Sequence, residues 1–367
     1  MKAVITGGGT GGHIYPALAI AEELKNRGWE ILYLGSDYRM EAEIVPDAGY
    51  NFKSLTVRPL PRSISLKIPS VIFNNIRALL TSFKAIKKFN ADIVIGTGGF
   101  VAGPAVLAAV LLGKKTLIHE QNAYPGITNK LLARLVDIVC LNFKEAEKFL
   151  NVKEKDKIKI TGNPVRPSIL NVDENLAYQK LGLSEELKTI LITGGSLGAG
   201  VINKNLIKVY KYALANKIQI LHLTGKKNYE EVIKRLENNN INPNNPLLNI
   251  IDYLNHMEYA LSAADLIISR AGATALAEIT SCGLPAILIP FAAAAENHQL
   301  FNAETLSQKN AAVIIKESEL DENILLNKVK KIIEDPEKIN SMSKEAEKLS
   351  QKDSLTNIIK IIESEIF

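Results

Sequence analysis

Cysteine is scarce in this chain: its 367 residues hold two. Cys140 and Cys282 lie far apart and make no metal-ligand spacing, so neither a disulfide framework nor a thiolate metal site is expected, and both read as buried thiols of a reducing compartment. Long apolar runs are missing too. The longest uncharged apolar run, around Val101 to Gly113, is too short and too glycine-rich to span a bilayer. The start of the chain passes from one lysine into Ala3–Ile5 and then glycines, which reads as a first strand and not a signal peptide. No G-x-x-x-x-G-K-[S/T] occurs, which argues against a P-loop nucleotide hydrolase. No D-x-D occurs either, the paired carboxylates with which many sugar-nucleotide enzymes hold a divalent metal on a diphosphate; neither a metal nor another cofactor is expected. Finally, no acidic residue falls between Asp47 and Asp92, although the whole chain carries only +5.

What is present is a repeated device. Lys2-Ala-Val-Ile-Thr-Gly-Gly-Gly-Thr-Gly-Gly-His13 and Thr189-Ile-Leu-Ile-Thr-Gly-Gly-Ser-Leu-Gly-Ala-Gly200 each run a short apolar strand into a glycine-rich turn before a helical pattern. Such a turn aims backbone N–H groups and a helix N-terminus at one spot, which favours an anion. The likeness continues: Asp92-Ile-Val-Ile-Gly-Thr-Gly-Gly99 and Asp265-Leu-Ile-Ile-Ser-Arg-Ala-Gly272 each lead through a small-residue helix to another apolar strand. Strands alternating with helices predict an α/β fold of two doubly wound parallel-sheet domains, Rossmann-like, facing across a cleft. Thr161-Gly-Asn-Pro-Val-Arg-Pro167 is the natural linker, so the expected domains are residues 1–162 and 163–342, with a charged amphipathic tail from about 343 to 367 returning to the first. Expected helices include Tyr15–Arg27 and Ser70–Phe89.

Several residues stand where chemistry is plausible. His13 follows the first glycine turn and has a side chain suited to taking a proton near neutral pH, or to capping the helix behind it. His119-Glu-Gln-Asn122 ends an apolar strand, the place where open α/β sheets bind ligands, although loop and cap chemistry would use the same residues. Glu278, on an otherwise buried helix, suits a bidentate grip on a ribose diol. Pro290 to Gln299 is a small-residue loop closing on polar side chains. Gly7 to Gly12 formally satisfies G-x-G-x-x-G, but the acid expected at the end of the second strand, Asp37, falls slightly late. The acid-free segment mixes cations with apolar residues: Ile72, Phe73, Ile76, Leu79, Leu80 and Phe83 among Lys84, Lys87 and Lys88. It reads either as a solvated basic face over a core helix or as a segment that lies in an anionic membrane interface.

Thr6-Gly-Gly-Gly-Thr-Gly-Gly-His-Ile-Tyr-Pro-Ala, His119-Glu-Gln-Asn, Thr161-Gly-Asn-Pro-Val-Arg, Gly194-Gly-Ser-Leu-Gly-Ala, Arg270-Ala-Gly-Ala-Thr with Glu278, and Glu296-Asn-His-Gln299 resemble, in order, the motifs of the MurG family. These bacterial transferases add N-acetylglucosamine to the lipid-linked muramyl-pentapeptide precursor of peptidoglycan. The resemblance implies a GT-B fold, with the donor nucleotide held mostly by the second domain and the lipid acceptor by the first. It implies UDP-N-acetylglucosamine as donor and undecaprenyl-pyrophosphoryl-MurNAc-pentapeptide (lipid I) as acceptor, at the cytoplasmic face of the cell membrane. Other cell-wall synthesis or division proteins are potential partners, and nucleic acid is not. For the donor it implies Thr10, Gly11, Gly12 and Asn122 near the sugar or diphosphate, and Arg166 and Ser196 at the diphosphate. Leu254 would lie by uracil, Ala273, Thr274, Ala275, Leu276, Ala277 and Glu278 at diphosphate and ribose, and Gln299 on the sugar hydroxyls. It raises His13 as the candidate base. The loop Ala292 to Ala295 is blander than the family pattern. Alternatives that keep the fold are a UDP-N-acetylglucosamine 2-epimerase, which needs no lipid-docking surface, or a transferase acting on another lipid. A non-catalytic dinucleotide-binding module is the alternative of another class.

Overall fold

The computed structural model describes residues 1–59, 68–195 and 198–366. Two compact units emerge: residues 1–164 with 351–367, and residues 165–350.

The first unit is a seven-stranded parallel sheet of β1 (Lys2–Thr6), β2 (Glu30–Ser36), β3 (Asn51–Leu55), β4 (Ile93–Gly96), β5 (Lys115–Glu120), β6 (Ile138–Leu141) and β7 (Ile158–Ile160), in the order β3-β2-β1-β4-β5-β6-β7. Successive residues of a strand face opposite ways, so each central strand feeds two cores. Val4, Val94, Ile118 and Val139 point to the layer of α3 (Ile68–Phe89) and α4 (Ala102–Leu111). Ala3, Ile5, Ile93, Ile95 and Leu117 point to the layer of α1 (Gly11–Asn26), where Ile358, Ile359 and Ile362 also pack. The second unit repeats the plan with β8 (Thr189–Thr193), β9 (Gln219–Leu223), β10 (Leu248–Ile251), β11 (Leu266–Ser269), β12 (Ala286–Leu288) and β13 (Ala312–Ile314), ordered β10-β9-β8-β11-β12-β13. In each sheet the strand order reverses beside the first strand, between β1 and β4 and between β8 and β11. Both glycine turns leave the sheet at that switch point, where open α/β sheets take ligands.

Three expectations need correction. The helix Pro336–Leu349 stays with the second unit, burying Met342 and Ala346, so residues 343–350 do not belong to the first; the return begins at Gln351. Helix α1 starts at Gly11 and not at Tyr15, which places His13 inside its first turn. Strands β3, β7 and β13 are sheet edges; β3 and β7 break their apolar residues with polar ones, and β13 is only three residues long, so the sequence pattern did not reveal them.

Candidate active site

In the first unit the glycine turn closes on its own carboxylate. Glu41, at the start of α2 (Glu41–Asp47), is fully buried. Its Oε2 accepts from Gly9 N at 3.0 Å, and its Oε1 accepts from Ser36 N at 3.2 Å and Ser36 Oγ at 2.5 Å. A side chain at Gly8 would collide with that carboxylate, so glycine is required there. Tyr33 donates to Gly7 O at 2.8 Å, and burial with Glu41 nearby pushes its hydroxyl pKa up, keeping it a donor. Sequence analysis missed Glu41; it lies some thirty residues from the turn with no motif to announce it. Asp37, the acid weighed for a ribose, is held by Arg58 at 2.8 Å and by Thr56 at 3.0 Å.

His13 sits between this turn and the one after β4. Its backbone carbonyl accepts from Thr97 Oγ1 at 2.8 Å. Gly98 and Gly99 both have positive φ, and side chains there would press on the imidazole. The ring's Nδ1 lies 2.9 Å from Gln121 Oε1 and 3.1 Å from Thr97 O. Gln121 Nε2 donates to Thr97 O at 2.7 Å and meets His119 Nδ1 at 3.0 Å, while His119 Nε2 lies 2.8 Å from Gly162 O. Burial pulls His119 down to about 4, against the Gly162 hydrogen bond, so it is neutral at pH 7. Glu120 is buried and accepts from Asn122 N, Asn122 Nδ2, Gly126 N and Asn129 Nδ2 at 2.8–3.1 Å. The first three residues of the tetrad are thus interior and organise the loop, and half-buried Asn122 is its surface member. Thr10 precedes α1 with extended backbone and makes no side-chain cap, and Gly11 and Gly12 form the helix's first turn.

In the second unit Arg166 and Glu278 pair at 3.2 Å, the carboxylate side chain being 12% exposed. Burial raises the Glu278 pKa, and Arg166 opposes the rise. The helix Ala273–Ser281 that carries Ala273, Thr274, Ala275, Leu276, Ala277 and Glu278 begins beside β11 with Gly272 extended at its N-cap. Gln299 Oε1 accepts from Ala271 N at 3.3 Å and Phe291 N at 2.9 Å, tying the two loops that flank that helix start. Arg270 braces the same loops: it donates to Ile289 O, pairs with Glu317 and lies under the Phe291 ring. Glu296 and Asn297 both adopt left-handed backbone, φ 51° and 56°, a strained pair just before Gln299. Leu254 is half-buried in the loop after β10. Ser196 lies outside the described residues, as do Ile64, Leu66 and Lys67 of the basic segment.

Helix α3 divides the apolar residues read as one docking set. Ile72, Phe73, Ile76 and Leu80 are 48–66% exposed, whereas Leu79 and Phe83 pack against the core beside Ala78 and Ile86. Leu79 and Phe83 are therefore corrected to core contacts. Phe73, Ile76, Leu80, Lys84 and Lys87 follow at helical spacing, so one exposed stripe passes from apolar to cationic. Among the described residues no helix is long and apolar enough to cross a membrane.

Two parallel sheets of this order, each with a glycine turn at its switch point, make a GT-B fold. Residues 3–140 match the glycosyltransferase family 28 N-terminal domain and residues 189–358 its C-terminal domain. The chain is 46% identical over 365 residues to the UDP-N-acetylglucosamine–N-acetylmuramyl-(pentapeptide) pyrophosphoryl-undecaprenol N-acetylglucosamine transferase of Halothermothrix orenii, covering 99% of this chain and 98% of that one. The transferase of the same name from Desulforamulus reducens is 45% identical, with coverage of 99% and 98%. The crystal structure of MurG from Acinetobacter baumannii superposes with a TM-score of 0.77 at 29% identity, covering 99% of each chain. The chain belongs to glycosyltransferase family 28 and, within it, to the MurG transferases.

Proposed function

We propose that the protein moves N-acetylglucosamine from UDP-N-acetylglucosamine to the C4 hydroxyl of N-acetylmuramic acid in undecaprenyl-pyrophosphoryl-MurNAc-pentapeptide, converting lipid I to lipid II with inversion. The acceptor oxygen attacks the anomeric carbon from the face opposite UDP, and the glycosidic electron pair leaves on the diphosphate. The observation that carries this reading is the His13 imidazole, tethered at Nδ1 by Gln121 and Thr97 at the ligand end of the sheet. Its Nε2 takes the hydroxyl proton, a step worth about 10²–10⁴-fold.

The second unit holds the donor. Arg166 faces the diphosphate and Glu278 the ribose diol, so donor binding replaces their mutual ion pair with contacts to the ligand. The start of the helix Ala273–Ser281 adds backbone donors for the developing charge. Gln299 meets the sugar, Leu254 the uracil, and Ser196 the diphosphate. The first unit takes the acceptor, and the fixed Glu41 carboxylate under its turn favours sugar over diphosphate at Thr10, Gly11 and Gly12, because like charges repel there. Asn122 completes that sugar contact. The exposed stripe of α3 rests on the anionic inner surface of the membrane that holds the acceptor's polyprenyl chain, with Ile72, Phe73, Ile76 and Leu80 in the interface and Lys84, Lys87 and Lys88 on headgroups.

The test is transfer of labelled N-acetylglucosamine from UDP to a muramyl-pyrophosphoryl lipid. Labelled product of lipid II composition is expected; release of free sugar or of its 2-epimer with no lipid product would overturn the assignment.

A further inference from the structure

We propose that Gln121 and His119 are positioning residues that hold His13 in one tautomer, Nδ1 protonated and Nε2 bare, through a hydrogen-bond chain anchored on two backbone carbonyls. This rests on His13 being the acceptor's base. A carbonyl oxygen only accepts. Gly162 O lies 2.8 Å from His119 Nε2, so that nitrogen carries the ring proton and His119 Nδ1 is left an acceptor. The group facing Nδ1 at 3.0 Å is therefore the amide nitrogen of Gln121, and the same nitrogen donates to Thr97 O at 2.7 Å. With the amide so oriented, Gln121 Oε1 faces His13 Nδ1 at 2.9 Å and must receive a proton from it. Thr97 O, 3.1 Å from that nitrogen, makes the same demand.

The other tautomer would set the bare Nδ1 lone pair against two oxygens at hydrogen-bond distance, with no donor to relieve them. In the tautomer the chain selects, the remaining lone pair is on Nε2. When the acceptor's O–H bond breaks and its oxygen bonds the anomeric carbon, the proton passes to Nε2. The resulting imidazolium keeps its Nδ1–H bonded to the same two oxygens, so no second group has to move. His119 is fully buried and neutral, which keeps the chain from inverting. Gly162 belongs to the Thr161-Gly-Asn-Pro-Val-Arg motif, so the relay gives that segment a role in base orientation.

Nitrogen-15 spectra of the intact protein labelled at histidine report the tautomers directly, with His13 and His119 assigned by comparison with His13→Ala and His119→Gln. His13 is expected with Nδ1 protonated and His119 with Nε2 protonated. Gln121→Met, which keeps the length and removes both polar atoms, should lower kcat by about 10- to 100-fold at unchanged donor KM. In a His13→Ala background the same change should cost nothing further, because the two act through one proton. An Nε2-protonated His13 in the unaltered protein, or parental turnover in Gln121→Met, would overturn the relay alone. A fully active His13→Ala would overturn the base assignment itself. Should Gln121→Met fail to fold, the spectra of the unaltered protein decide.

Discussion

In both units an aspartate locks the central strand to its neighbour. Asp92 accepts from Lys2 N at 2.8 Å at the start of β1, and Asp265 accepts from Thr189 N at 2.7 Å at the start of β8. The following turns diverge. In the first unit Gly9 N is bound by the buried carboxylate of Glu41. In the second, Gly195 N meets the neutral hydroxyl of Thr193 at 3.2 Å, and the cation Arg166 is paired to Glu278 on the helix Ala273–Ser281. The same backbone device therefore holds a fixed carboxylate in the first unit and, among the described residues, a neutral hydroxyl in the second. A glycine turn offers amides; side chains delivered from distant elements decide what those amides receive.

That contrast can be broken or sharpened by experiment. The largest effect is expected at the first unit's histidine: His13→Ala should lower kcat by about 10²–10⁴-fold while UDP affinity holds, since a base acts on the transition state. Retained turnover would leave His13 a packing residue of the turn.

Each unit also buries one neutral histidine, His119 at about 4 and His222 at about 3, both lowered by burial. The unfolded chain binds protons at these rings near pH 6.5, before the folded state does, so stability is full above that pH and falls as pH drops toward 4. A single ring so placed contributes about 3 kcal/mol at neutral pH by linkage. Urea midpoints measured between pH 7 and 4 should fall more steeply for the parent than for His222→Gln. Parallel profiles would mean that His222 does not titrate as a buried neutral ring.

Glu278→Ala should weaken UDP by about 1.5–3 kcal/mol, the scale of a lost charge-assisted hydrogen bond. Calorimetric titration with UDP checks it, and an unchanged affinity in a folded variant would remove the ribose assignment. Smaller again, each of Lys84, Lys87 and Lys88 replaced by glutamine should cost about 1 kcal/mol of binding to anionic vesicles, with activity on a short-chain soluble acceptor preserved. Vesicle sedimentation indifferent to all three replacements would return α3 to a solvated face. The smallest effect is none: EDTA should leave turnover intact, and its abolition with rescue by Mg²⁺ would show a metal requirement.

The doubled plan was readable because β1, β4, β8 and β11 are short, mainly apolar runs with a glycine in the turn that follows or ends them, the pattern of strands buried on both faces. The edge strand β3, Asn-Phe-Lys-Ser-Leu, has mostly exposed side chains and offered no such run. At the site, sequence motifs marked His13 and the His119 tetrad, yet the motif reading singled out Asn122 and passed over Gln121. Only the fold brings Gln121, 108 residues further along, against the imidazole. Glu278 was read as a grip on a ribose diol, and its pairing with Arg166 across 112 residues went unread. Pairings of that separation leave no periodic trace.

The return of the chain to the first unit has a consequence for biosynthesis. Residues 165–350 are contiguous, so the second unit has its whole sequence once residue 350 has left the ribosome. The first unit, though made earlier, then lacks Ile358, Ile359 and Ile362, which pack against α1 in its core. Until they emerge, the apolar face formed by Ile14, Ile20 and Leu24 has an open side. The half made first is thus the half completed last, and a chain truncated after residue 350 should expose that face to chaperones while its second unit resists proteolysis.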